Sequence, residues 1–589
     1  MDNTKKCFAV MLIVVLMASG CLSDPRDIEN NGINTSAKLD DWKYDSTQAS
    51  SDSSKGWGGL NSMGLMKSMA VSESMAAPGG NIGFSTGGAK DINNFRENIN
   101  NSYLPISSDI TYEGLFYDYY FDTGQAEECT KLFCPSYTYA ISKDPFSNKE
   151  EYYLSIGLNS GIKESDFKRK KLNLVIVLDI SGSMSSSFNR YYYDQFGNRK
   201  TNERTNKKNN EDYQKTKMQI ASEAVVGLLD HLNDDDRFGM VLFDSSAALA
   251  KPLNFVGETD MQKIKDHILE IHPRGGTQMS AGMKMGTEQF GELTDINPDE
   301  YENRIIFLTD AMPNIGETSE EGLLGMTEKN SQNGIYSTFI GIGVDFNTEL
   351  IEYITKIRGA NYYSVHSAKE FKKRMDDEFE YMVTPLVFNL QLNLDADGYE
   401  IQKVYGSPEA DEATGQIMKV NTLFPSNVEE NQTRGGLILL KLKKLSPDAS
   451  LTLKVSYEDR NGKSENNEKH IELQDNEADF YENTGIRKGV LLSRYADLMK
   501  NWINDERQSY AEPGLVKPPC VNREIGIIVP VPIESQLGKW ERQSVSLKVS
   551  QHYRELFDEF SIYFEEEMNA LNDETLQQEL DVLKKLANN

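Results

Sequence analysis

Between residues 173 and 382 the chain repeats one pattern. Four continuous apolar runs, Leu174–Ile180, Phe238–Phe243, Ile305–Thr309 and Phe339–Val344, alternate with segments of helical period at 217–232, 259–271, 279–291, 319–333 and 347–357. A strand that is apolar along its whole length has both faces covered, and helices between such strands supply the cover. The pattern predicts an α/β unit over 171–384: a doubly wound, mainly parallel sheet.

After residue 385 the apolar period becomes two. Phe388, Leu390, Leu392 and Leu394 alternate with polar residues, as do Leu451, Leu453, Val455 and Tyr457. Such segments are half-buried antiparallel strands. Tyr137–Ile141 and Tyr152–Leu158 also read as strands, and the aromatic run Thr111–Phe121 reads as core or strand pairing. We expect the N-terminal β region (105–170) to pair with a β-sandwich region (385–480), so that the α/β unit is inserted in, or flanked by, an antiparallel β-sandwich. C-terminal helices complete the fold class: a helical region spans 481–589, with the stripe Ile486, Val490, Leu491, Leu498, Met499 and Trp502 marking 484–506 and a second stretch at about 541–585.

Residues 1–21 read as a targeting segment, with Lys5 and Lys6 before the apolar run Phe8–Met17. Ala18-Ser19-Gly20-Cys21 resembles a lipoprotein-type signal peptide, in which Cys21 would be acylated; an ordinary cleaved signal and secretion is the alternative. Residues 22–104 are rich in Ser, Asn, Gly and Met and read as a flexible stalk. No later stretch reaches the roughly 18 apolar residues of a spanning helix. The expected location is extracytoplasmic, with contact to the membrane through the lipid anchor only. In that oxidising setting Cys129 and Cys134 are close enough for a local disulfide, while a bridge from either to Cys520 is equally open. With 62 Lys+Arg against 91 Asp+Glu, the net charge of −29 excludes nucleic acid, whose phosphates need a basic footprint. The six His form no His-Glu-x-x-His pattern, which argues against catalytic zinc.

The chemistry concentrates in three places. The run Asn173–Leu178 ends in Asp179, followed by Ser181 and Ser183 at alternate positions. Arg274-Gly-Gly-Thr277 precedes a helical segment, and the run Ile305–Thr309 is followed by Asp310. In open α/β sheets ligands sit beyond the carboxyl ends of the strands, where strand order reverses. Asp179, Ser181, Ser183, Thr277 and Asp310 are all hard oxygen donors, a set suited to Mg²⁺, with Mn²⁺ possible and Ca²⁺ less suited.

On these residues, 173–382 resembles a von Willebrand factor type A domain with a complete metal-ion-dependent adhesion site, and Gly341-Ile-Gly-Val-Asp-Phe346 also fits. The resemblance implies that the two Ser and the Thr coordinate directly or through water, that one or both Asp act through water, and that an open position accepts an Asp or Glu of a partner. The flanks, including Phe84–Phe95, Asp109–Tyr120 and Arg487–Trp502, are similar to prokaryotic lipoproteins labelled calcium-activated chloride channel homologues. The chain shows no pore-forming segment to support the channel label.

Residues 185–216 intervene between the metal loop and the next helix. Tyr191, Tyr192, Tyr193 and Arg190 are the candidate ligand rim, and the basic run around Arg199–Lys208 would attract an acidic ligand; the alternative is a surface loop whose tyrosines pack on their own domain. Asp234–Asp236 reads as a solvated turn, and Asp244 as a lesser candidate neighbour of the site. The function expected is a surface-anchored binding protein for a partner presenting Asp or Glu, with no small-molecule substrate and no enzymatic activity. The alternatives are an accessory or assembly subunit of an envelope membrane complex and, behind it, a metal-dependent phosphoester hydrolase.

Overall fold

The computed structural model describes residues 38–45, 81–90, 92–125, 128–187, 189–193, 199, 215–291, 293, 297, 299–365, 378–407, 416–474, 476–511, 521–522, 527–528 and 545–589. The targeting segment with Cys21, Cys520 and the basic run beyond Arg199 lie outside these residues.

The strand Lys171–Asp179 is central in a seven-stranded sheet. The order across it is Gly88–Ala89, Asn361–Val365, Ile335–Ile342, Tyr301–Thr309, Lys171–Asp179, Arg237–Phe243, Ala247–Phe255. All neighbours run parallel except the last pair. Side chains of the central strand alternate between two cores. Leu172, Leu174, Ile176 and Leu178 enter one, Val175 and Val177 the other, which is why the strand reads as unbroken apolar sequence. From this strand the chain goes first to one side, to Arg237–Phe243, and later to the other, to Tyr301–Thr309. Strand order thus reverses at the carboxyl ends of the Asp179 and Asp310 strands, the sequence-expected place for a ligand.

The helix Met279–Glu288 approaches the sheet through two glycines. A Cβ on Gly282 would lie 2.8 Å from Phe243 Cδ1, and one on Gly286 2.7 Å from Val177 Cγ2. This contact seats the helix, and with it the Thr277 loop that leads into it. Gly286→Ala improves helix propensity, yet overpacking outweighs that gain. We expect a net loss of about 1–2 kcal/mol in urea unfolding, at the low end of overpacking costs.

The edge strand Ala247–Phe255 was not anticipated, because Lys251 and Pro252 interrupt its pattern. Its outer edge is covered by residues 39–45. Leu39 N–H donates to the Glu258 carbonyl and Lys43 N–H to the Ala250 carbonyl, both at 2.8 Å. Asp41 pairs with the buried Lys251 at 3.2 Å, and Trp42 stacks on His267.

A second, ten-stranded sheet is antiparallel throughout. Leu437–Lys444 pairs with Glu150–Lys163, which pairs with Asn81–Thr86, which pairs with Gln416–Ser426. Strands from before and after the α/β unit therefore share one sheet, and the unit is inserted between them, as expected from the strands on either side of it. Ile438, Leu440 and Leu442 point into the core of this sheet, while Leu437 and Leu439 face the C-terminal helices.

The expected stalk does not extend to residue 104. Residues 81–86 form a strand of the antiparallel sheet, 88–89 an edge strand of the parallel sheet, and 93–100 a helix. Composition misled here because the glycines serve close approach. A Cβ on Gly87 would sit 3.1 Å from the carbonyl oxygens of both Ala360 and Thr422, one in each half of the molecule. The N-terminal β region also begins with a helix, Tyr112–Tyr117, capped by Thr111, whose hydroxyl accepts from Gly114 N–H at 3.0 Å. Its aromatics are core: Phe116, Tyr119 and Phe121 are buried.

The helix Thr484–Ala511 buries Trp502 and packs with Gln551–Leu571 and Gln577–Ala587 against the helix Asn93–Asn100. The buried Arg96 fixes this packing. It pairs with Glu579 and, at 2.6 Å, with Asp118, and the Tyr119 hydroxyl donates to Glu579 at 2.9 Å. Burial alone would lower the Arg96 guanidinium, but Glu579 and Asp118 outweigh it. Cys129 and Cys134 form a disulfide, the local pairing among those the sequence allowed. Asp236 is not a solvated residue of its turn: it is buried and accepts from Arg169 at 2.6 and 2.9 Å and from Leu172 N–H at 2.7 Å. Among the described residues, no helix is long and apolar enough to cross a membrane.

Candidate metal centre

Asp179 is the last residue of the central strand and is fully buried. Its Oδ1 accepts from Ser181 N–H at 2.8 Å, which folds the next residues back over the strand end. Its Oδ2 accepts from the Thr309 hydroxyl at 2.7 Å. Thr309 Oγ1 in turn accepts from Ala311 N–H at 2.8 Å, so one hydroxyl ties the two strand ends together. Ser181 and Ser183 follow, with their Oγ atoms 2.9 Å apart. Gly182 is required by close approach: a Cβ there would meet the Gly275 carbonyl oxygen at 3.1 Å and the Tyr192 hydroxyl at 3.3 Å.

The loop that carries Thr277 is drawn to the same strand end by backbone stitching. Arg274 N–H donates to the Ile180 carbonyl at 2.6 Å, and Gly182 N–H to the Gly275 carbonyl at 3.0 Å. Asn314, in the loop after Asp310, holds Thr277 from the other side, its side chain accepting from Thr277 N–H at 2.9 Å and its own N–H donating to the Thr277 carbonyl at 3.0 Å. Asp244 is a neighbour of this loop, accepting from Arg274 Nε at 2.8 Å.

Asp310 follows its strand and is fully buried. The next residue, Ala311, has φ +50°, a left-handed conformation that costs a non-glycine residue about 1–2 kcal/mol and is held here by its amide bond to Thr309. Asp310 Oδ2 accepts from Lys217 Nζ at 2.9 Å. Its Oδ1 is buried with no hydrogen-bond partner. Lys217, the first residue of the helix Lys217–Leu228, is also fully buried and pairs with Asp345. Lys217 and Asp345 were missed as site residues. Lys217 reads in sequence as one more lysine at the end of a polar run, and Asp345 lies in Gly341–Phe346, where only its place in a motif was visible.

Electrostatics follow from the burial. Burial, with the Asp310 charge beside it, pushes the Asp179 carboxyl up to about 7. Burial also raises Asp310, with Lys217 opposing and Asp345 adding to the shift. Burial alone would lower the Lys217 ammonium, but the two carboxylates outweigh it and hold it above its ordinary value.

The candidate rim divides. Tyr191 is not on it: the side chain is buried, its hydroxyl donating to Asn98 Oδ1 at 2.6 Å and its ring packed edge-on against Tyr103. Its partner lies 93 residues away in the helix Asn93–Asn100, beyond the reach of local pattern. Tyr192 does sit beside the metal loop, with its N–H donating to Asp345 Oδ2 at 2.9 Å and the Arg199 guanidinium over its ring. Tyr193 packs edge-on against Tyr192, and Arg190 is half-buried. The two ends of the insertion are closed at its base by Lys217 N–H donating to the Ser186 carbonyl at 3.0 Å.

The family model described as the von Willebrand factor type A domain matches residues 174–313. A von Willebrand factor type A domain is present in this chain. The bovine inter-alpha-trypsin inhibitor heavy chain H4 is 24% identical over 188 residues, covering 31% of this chain and 20% of its own length. The chain thus spans about a fifth of the length of the curated relatives it matches. Among solved structures, a von Willebrand factor type A protein from Catenulispora acidiphila aligns with a TM-score of 0.38 and 14% identity, over 73% of this chain and all of that one. Proximal thread matrix protein 1 from mussel byssus, solved with a zinc-occupied adhesion motif, aligns with a TM-score of 0.27 and 18% identity, over 38% of this chain and 50% of that one.

The type A domain's own atoms fit a divalent cation. An orphaned, buried carboxylate oxygen is costly unless something positive or protic meets it. Asp310 Oδ1 is such an atom, and the donors gathered at this strand end are hydroxyls and carboxylates.

Proposed function

We propose that this protein binds a protein partner through Mg²⁺ held by Asp179, Ser181, Ser183, Thr277 and Asp310, with an Asp or Glu of the partner filling the open coordination position. The observation that supports the reading best is the unpartnered Asp310 Oδ1, buried among oxygen donors at the switch point of the sheet. An all-oxygen set with three neutral hydroxyls suits Mg²⁺, which keeps waters and exchanges one for a carboxylate. A 2+ ion in a preformed, buried site attracts that carboxylate far more strongly than water would allow. The reading is of a binding module. Lys217, the cation beside Asp310, is buried and ion-paired and so is not free to serve as acid or base. Acylation at Cys21 would place this face outside the cytoplasmic membrane.

Capture tests the reading. The full chain, immobilised, is exposed to detergent-solubilised envelope from the source cell in Mg²⁺ and in chelator. A protein retained in Mg²⁺ and released by chelator is the expected result. Equal retention in both would sink metal-mediated recognition.

A further inference from the structure

We propose that Lys217 and Asp345, which lie outside the five-residue metal set, fix the charge of the site and thereby its affinity for the cation. This rests on the reading of Asp179 to Asp310 as a divalent cation site.

Four charged side chains of this region have no exposure to solvent: Asp310 and Asp345, both paired with Lys217, and Asp179, which feels the Asp310 charge. Lys217 Nζ lies 2.9 Å from Asp310 Oδ2 and also pairs with Asp345. Asp345 is held on its other oxygen by the Tyr192 amide at 2.9 Å, so it cannot turn away. Among the fully buried groups, three carboxylates against one ammonium leave two negative charges, which a single divalent ion would neutralise. Buried charge is poorly screened by salt, so each unit added or removed acts on the metal more strongly than it would at the surface. Lys217 also occupies one oxygen of Asp310 and leaves the other, Oδ1, without a protein partner. It therefore positions a metal carboxylate while cancelling part of its charge. The loaded cluster is then neutral, and an incoming carboxylate meets no net repulsion. Without Lys217 the loaded cluster would carry a negative charge facing an anionic ligand.

A charge-setting role gives variants opposite signs, which a merely structural role does not. The probe is Mg²⁺ alone, titrated calorimetrically into the full chain for wild type, K217M, D345N and the double variant. K217M should bind Mg²⁺ about tenfold more tightly and D345N about tenfold more weakly. The double variant should return to within about threefold of wild type, because its remaining two carboxylates restore the same charge. Mg²⁺ should also raise the Tm of K217M more than that of wild type. Should K217M fail to fold, D345N and the double variant decide: equal affinity of D345N and wild type, or a double variant weaker than D345N, overturns the proposal. Weaker binding in all three variants overturns it as well. Wild type that does not bind Mg²⁺ overturns the metal-site reading itself, whereas wild type that binds while K217M binds no more tightly overturns the charge-setting role alone.

Discussion

Asp179→Asn is expected to weaken Mg²⁺ binding at least about 100-fold, because it removes a full charge from a fully buried site while nearly preserving its shape. The amide oxygen can still accept from Ser181 N–H, so the loop should keep its path. Stability should move the other way from binding. In chelator, Asp179 is a buried carboxylate beside a second one, Asp310, and loses rather than gains from that company. Removing its charge should leave the Tm in chelator unchanged or higher, while the Mg²⁺-induced rise in Tm disappears. Calorimetry and thermal unfolding with and without Mg²⁺ read both effects. A variant that still gains Tm with Mg²⁺ would show that the ion binds elsewhere.

The second large effect lies far from the metal. Glu579→Ala should cost about 3–5 kcal/mol, the range for breaking a buried ion pair by removing one partner. The penalty comes mainly from what remains: the buried Arg96 guanidinium keeps Asp118 as its charge partner and Asn93 Oδ1 as an acceptor but loses the Glu579 carboxylate, and the Tyr119 hydroxyl loses its acceptor. Arg96 and Glu579 are 483 residues apart, so the variant should loosen the closing helix against the first one. Urea unfolding should show the midpoint fall. A loss under about 1 kcal/mol would mean that water or another side chain satisfies Arg96.

What the sequence revealed follows from how locally each feature is encoded. The Asp179 and Asp310 strands were legible because each is a short uninterrupted apolar run followed by an acid and set between helical segments, the pattern of a strand covered on both faces. The insertion of the α/β unit was only partly legible: the period drops to two after residue 385, and strands were expected before residue 170, but their pairing across the unit was not encoded in either pattern. The five proposed donors could be named from sequence because they sit at strand and helix ends, where type and spacing carry chemistry. Lys217 was not, since a lysine opening a helix after a polar run looks solvated, and only the fold brings it to Asp310. Tyr191 went astray for the same reason, as Asn98 comes to it from another element. Residues 81–89 were hidden by their glycines, which local composition reads as looseness and the folded chain uses for contact.

That short segment has a mechanical consequence. Asn81–Thr86 is hydrogen-bonded into the antiparallel sheet, and Gly88–Ala89 into the parallel one, with Gly87 N–H donating to Thr422 and Gly88 N–H to Ala360. One extended piece of backbone is thus woven through both halves and acts as a tie bar. A pull on the strand ends at Asp179 and Asp310, such as a partner bound there would exert, would be passed along the parallel sheet to its far edge and across this tie into the antiparallel sheet. Swinging one half away from the other would require shearing strand pairs rather than bending a linker, so the molecule should carry load as a stiff unit instead of yielding at a hinge.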